Sequence, residues 1–99
     1  MTLDFLHAAE ADFTESIAYY EQQRDGLGME FAAEVRRTLN RILQYPTAWA
    51  PLSAHTRRCR LNRFPYAVLY QLRPKAILVV AIQHLHRDPV SWKTRCTSL

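Results

Sequence analysis

Arg57, Arg58, Arg60 and Arg63 fall within seven residues and run directly into Phe64-Pro65-Tyr66. Guanidinium groups bind carboxylates and phosphates through a planar two-pronged fork, so this cluster suits an anionic partner. Strand alternation would send Arg58 and Arg60 to one face and Cys59 and Leu61 to the other. Such a row can equally serve only to keep an edge strand soluble. A second set of chemically able residues, His84, His86 and Arg87, lies further along. Metal-free RNA cleavage needs a base for the 2′-hydroxyl, positive charge for the transition state and an acid for the leaving oxygen. Arg58 and Arg60 could hold phosphate, and His84 or His86 could move the proton, since histidine titrates near neutrality. A histidine ending a buried strand is also commonly a hydrogen-bonded structural residue. His86 reads as a solvated rim residue.

Other chemistries find less support. His55, Cys59, His84, His86 and Cys96 form no recognised zinc pattern, so neither a metal nor a cofactor is expected. Two cysteines do not make a disulfide framework, and Met1-Thr2-Leu3-Asp4 does not read as a secretory signal. Reduced thiols in a cytoplasmic protein are the expectation. No apolar run approaches the roughly 18 residues of a membrane span. A hydrophobic share of 48% and a charged share of 22% fit an ordinary globular chain, and 99 residues fit a single domain over 1–99. The net charge of +4 hides an asymmetry. Residues 1–50 carry four arginines against eight carboxylates, a net −4, whereas residues 51–99 carry nine Lys and Arg against Asp88, a net +8. A basic half of this kind points to nucleic acid or an acidic protein as partner.

The elements that would position these residues follow from periodicity. Thr2 to Leu6 reads as a first strand. Ala9, Phe13, Ile17 and Tyr20 recur at helical spacing and predict a helix over His7 to Arg24, with Glu10, Asp12 and Glu15 at its positive end. Gly26 is expected left-handed at its end, and Gly28 is expected to let the chain turn. Leu27, Phe31, Val35, Leu39 and Ile42 stripe a second helix, which Pro46 stops. Tyr45 to Ala54 reads as a loop. Strands are predicted over Thr56 to Leu61, Tyr66 to Leu72 and Ile77 to Ile82, the last apolar on both faces as a central strand would be. Pro65 is expected to open its strand and hold Phe64 extended. A short helix over Val90 to Arg95 would bring Trp92 back. The order β-α-α-β-β-β-α gives an α+β fold, a helical hairpin on a small, mostly antiparallel sheet with the first strand parallel to the last.

Four segments in order carry a family likeness: Ala18-Tyr19-Tyr20 with Gly26-Leu27-Gly28 and Phe31; Tyr45-Pro46-Thr47-Ala48-Trp49; Arg63-Phe64-Pro65-Tyr66 with Tyr70; and His84 with Arg87-Asp88-Pro89 and Trp92. The chain resembles toxins of the RelE/ParE superfamily, and ParE more than RelE. The resemblance implies a cytoplasmic toxin held by a cognate antitoxin with an acidic, flexible segment, the two forming a hetero-oligomer. ParE-like members block DNA gyrase. RelE-like members cut mRNA on the ribosome, often with a tyrosine near the C-terminus. Here no tyrosine follows Tyr70, and the tryptophan in the final segment cannot transfer a proton. The expectation is therefore a gyrase-binding poison rather than an enzyme. Arg57, Arg58, Arg60, Arg63, Tyr19, Arg87 and Trp92 are the expected partner contacts, and His84, Arg58 and Arg60 would be catalytic were it a nuclease.

Overall fold

Seven of the nine residues of the strand Ala76–His84 are apolar, and most are buried, so this strand must be covered on both faces and both sides. The computed structural model, which describes residues 1–87 and 91–96, places it accordingly. The elements are β1 (Thr2–Phe5), α1 (His7–Gln23), α2 (Leu27–Gln44), β2 (Ala50–Pro51), β3 (Thr56–Arg60), β4 (Tyr66–Leu72), β5 (Ala76–His84) and α3 (Lys93–Cys96). The sheet order is β1-β5-β4-β3-β2. β1 pairs parallel with β5, Thr2 opposite Ala76 and Phe5 opposite Val79, and the remaining pairs are antiparallel. The two-helix connection allows that parallel return, which a tight turn could not make.

The helical hairpin covers one face. Phe31, Val35 and Ile42 of α2 pack with Val68 and Tyr70 of β4 and Ile77 and Val79 of β5. The other face carries a smaller cluster, Ala67, Leu69, Val80 and Ala81 under Trp92. Val80 and Ala81 are adjacent yet share that face. Strict alternation forbids this, and a bulge opposite Leu69/Tyr70 provides it by putting an extra residue into β5.

Several local expectations are corrected. The 45–54 segment contributes β2, because Ala50 and Pro51 pair with Arg58 and Arg57 at the sheet edge. Gly28 lies within α2, not in the turn. A Cβ there would sit 2.8 Å from the Ile17 carbonyl oxygen, so glycine lets the two helices touch. Gly26 does adopt the left-handed conformation, at φ 87°, but as the N-cap of α2. Phe64 is not extended. Its φ is 78°, and the Tyr66 N–H donates to its carbonyl at 2.9 Å, closing a three-residue turn over Pro65. Its ring lies edge-on to Tyr20 and Phe31, which holds the strained backbone in place. The last helix begins at Lys93 rather than Val90, with Trp92 in the preceding turn, and Val90 itself lies outside the described residues.

Candidate partner-binding surfaces

β3 deals its arginines to two faces. Arg57 stands opposite Tyr70 on the helix side, and its guanidinium donates to the carbonyls of Thr47 and Trp49 at 3.1 and 2.9 Å. The Tyr70 hydroxyl donates to Pro46 O at 2.6 Å, and burial pushes that phenol up to about 12. Together these bonds tie the 45–49 segment to the sheet. Arg63 is also committed: Nη2 lies 2.7 Å from Glu30, the guanidinium sits 5.0 Å from the centre of the Phe64 ring, and its backbone N–H donates to Glu34 at 2.9 Å. Hydrogen bonds from Arg63 and then Arg24 hold the Glu30 carboxyl below the usual range.

Arg58 and Arg60 face the opposite way, across from Leu69 and Ala67. Neither has a carboxylate within salt-bridge distance among the described residues. They line a cleft of about 310 Å³ with Trp49, Ala50, Leu61 and Asn62. Cys59 between them points into the core, where burial pushes its thiol up and away from reactivity.

His84 ends β5 opposite Tyr66, its ring 5.3 Å from the tyrosine's. Nδ1 accepts the His86 N–H at 3.1 Å, so the neutral ring carries its proton on Nε2. His84 lines a second cleft, about 450 Å³, beside α1 with Asp12, Ser16, Tyr19, Tyr66 and Arg87. The fold thus brings Tyr19, His84 and Arg87 together. Tyr19 is 54% exposed, while Tyr20 turns inward against Phe31. Arg87 reaches to 4.0 Å from Asp12. Asp88 and Pro89 lie outside the described residues. Trp92, an expected contact, is 4% exposed and packs on the sheet instead.

The nuclease set is therefore not assembled. The cross-strand partners of Arg58 and Arg60 are Leu69 and Ala67, on the Trp92 side, whereas His84 meets Tyr66 of the helix-side cluster edge-on. A phosphate held by the arginines would have the sheet between it and the imidazole, outside the roughly 3 Å reach of a general base. Among the described residues no group of three His, Cys, Asp or Glu could hold a metal ion.

Three structural anchors escaped the sequence reading. Asp12, placed by the helix pattern at a dipole end, is 7% exposed and accepts from Arg95 at 2.6 and 3.0 Å and from the Ile82 N–H at 3.1 Å. Glu34 accepts from Arg63 and Arg37. The Glu21 carboxylate accepts the N–H groups of Gly26 and Gly28, capping α2 from the neighbouring helix. Glu34 with Arg37, three residues apart on α2, and Glu21, an acid just before a glycine-bearing helix start, carried local signals; the bonds of Asp12 and of Glu34 to Arg63 did not.

Comparison with known proteins agrees with this architecture. The solved chain of a chromosomal ParDE toxin–antitoxin system from P. aeruginosa superposes with a TM-score of 0.72 at 18% identity, covering 85% of this chain and 95% of that one. The isolated E. coli RelE toxin superposes with a TM-score of 0.64 at 17% identity, over 99% and 98%. These likenesses establish the fold. In sequence, the chain is 32% identical over 84 residues to Toxin ParE2 of Mycobacterium tuberculosis, covering 84% of this chain and 80% of the relative. The family described as the ParE toxin of the type II toxin–antitoxin system parDE matches residues 3–89, and the chain belongs to that family.

Proposed function

We propose that this chain is a growth-arresting toxin that acts by binding DNA gyrase and is neutralised in the cytoplasm by a cognate, acidic antitoxin. The observation that supports the reading is the separation of His84 from Arg58 and Arg60 by the sheet, so these three residues do not meet at one phosphate. Binding needs no such convergence. The basic outer face with Arg58 and Arg60 suits the acidic antitoxin, and the α1 cleft with Tyr19 and Arg87 is available for a second contact. Arg57 and Arg63 contribute by fixing the edge that presents the other two.

Purified toxin added to gyrase and relaxed plasmid is expected to stop supercoiling or leave cleaved DNA, with reversal by antitoxin. Undiminished supercoiling at excess toxin defeats the proposal. Cuts within translated messages on expression, abolished by His84→Ala, would put ribosome-dependent mRNA cleavage in its place.

A further inference from the structure

The two sides of the molecule differ in charge where they open to solvent. The helix-side cleft is lined by Asp12 and Glu15 as well as Arg87. The outer face of the sheet, covered in its middle by Trp92, has no such balance. Two clefts open on it and a third at its β2 edge, and none has an acid among its described lining residues. Arg58, Arg60, Arg73 and Lys93 stand around them. None of these four pairs with a carboxylate among the described residues. Arg60, Arg73 and Lys93 are exposed and Arg58 is half-buried.

The register sets these cations in a row. Arg58 and Arg60 leave β3 on the side of Leu69 and Ala67. Gln71, the next residue of β4 on that face, donates to Thr56 Oγ1 and to the Cys96 sulfur of α3, and its amide oxygen accepts from Arg73. These bonds hold Arg73 at the same face, and Lys93 shares a cleft with Gln71 and Cys96. From Arg60, opposite Ala67, to Arg73 the row is about 20 Å long at a strand's rise per residue.

We infer that this face binds the phosphate backbone of duplex DNA, without regard to base sequence. A row of about 20 Å matches about six base pairs of duplex. Phosphates are held by Arg and Lys with small polar side chains between them, and the exposed Ser53 beside Lys93 is such a neighbour. The exposed aromatic anchors that most protein partners use, Tyr19 and Tyr45, lie instead on α1 and at the end of α2. Single-stranded nucleic acid needs rings to stack on, and Trp92 at this face is buried. An acidic antitoxin segment on Arg58 and Arg60 would exclude the duplex. The choice of DNA over RNA rests on the gyrase reading, since that enzyme works on duplex DNA, but the test uses no gyrase and the two can fail separately.

Fluorescence anisotropy with a labelled duplex of about 20 base pairs measures the binding over a series of KCl concentrations. Micromolar affinity is expected at about 50 mM KCl, with log affinity falling against log salt at a slope of roughly −3 to −4 for four neutralised phosphates. Arg58→Gln with Arg60→Gln should weaken binding about tenfold at that salt and reduce the slope by about two, and Arg73→Gln with Lys93→Gln should do the same. Arg36→Gln with Arg37→Gln removes equal charge from the exposed side of α2 and should change the affinity by less than about twofold. An equal loss in this α2 pair makes the effect one of net charge and overturns the inference. So does an absence of binding at about 50 mM KCl, a slope unchanged in the β3 pair, or tighter binding of the same sequence as duplex RNA. Supercoiling stopped by a toxin that binds no DNA leaves the gyrase proposal standing without this surface, and DNA binding with supercoiling undiminished does the reverse.

Discussion

Glu34 has only about 5% of its side chain exposed, in the middle of α2, yet it is the anchor for a corner at the far end of β3. Burial opposes its ionisation. The Arg63 N–H, the Arg37 guanidinium and the Asn62 N–H outweigh that and hold the carboxyl below its ordinary value. A carboxylate with a depressed folded pKa contributes stability in full above the unfolded pKa of about 4.3, and loses it as pH falls through the folded value. Glu34→Gln keeps the shape and one acceptor but removes the charge. It is expected to cost about 1–2 kcal/mol at pH 7, with the gap to the parent closing as both are taken below about pH 4. Urea denaturation at pH 7, 5 and 3 measures this, and a gap undiminished at pH 3 would assign Glu34 a role unrelated to its charge. The arginines show the same limit of sequence reading. Their alternation on β3 was legible because it is local. That Arg57 would be occupied by the 45–49 carbonyls and Arg63 by Glu30 was not, because both partners arrive through the fold.

At the scale of elements, the helix stripes and the two-faced burial of β5 could be read directly, since each follows from periodicity within one segment. The features that could not be read are those two elements impose on each other. β2 is two residues long and exists only because β3 lies beside it. The β5 bulge answers the need to place both Val80 and Ala81 under Trp92. Gly28 is the clearest case. In isolation a helical glycine is a weakness of about 1 kcal/mol relative to alanine. Here an alanine Cβ would stand 2.8 Å from Ile17 O and 3.1 Å from Glu21 Cβ, and the first of these is backbone that moves only if α1 moves. Gly28→Ala is therefore expected to destabilise by about 1–2 kcal/mol despite the gain in propensity, the overpacking cost being the larger quantity. A thermal melt decides it: a raised Tm would mean the hairpin is looser than this contact. Gly26→Ala makes a useful companion, because nothing lies within 4 Å and its cost would come from φ 87° alone.

Across the whole molecule, one buried ion pair joins parts that sequence keeps furthest apart. Asp12 on α1 and Arg95 on α3 are 83 residues apart, and between them they serve the half of β5 that extends past the end of β1. Asp12 accepts the Ile82 N–H while Arg95 donates to Val80 O, so the pair stands in for the missing neighbouring strand. The charge asymmetry of the two halves is thus partly spent inside the fold, on Asp12 with Arg95 and Glu30 with Arg63. Arg58 and Arg60 remain for an outside partner. A largely buried pair of this kind need not stabilise relative to an apolar pair, because desolvation offsets the attraction, but removing Asp12 takes two charged hydrogen bonds from Arg95 and leaves the Ile82 N–H without its acceptor. Asp12→Ala is accordingly expected to cost about 3–5 kcal/mol. That is a large part of the roughly 5–15 kcal/mol that holds a domain together. The corresponding fall in Tm is roughly 15–30 °C for a chain of this size. Asp12→Leu combined with Arg95→Met removes both charges at once and should recover much of that loss. Calorimetric melts of the two variants separate the possibilities. If the double variant is no more stable than Asp12→Ala, the hydrogen bonds to Val80 and Ile82 at the strand edge matter more than the charge balance. If Asp12→Ala melts within a few degrees of the parent, the link between α1 and α3 contributes little to stability.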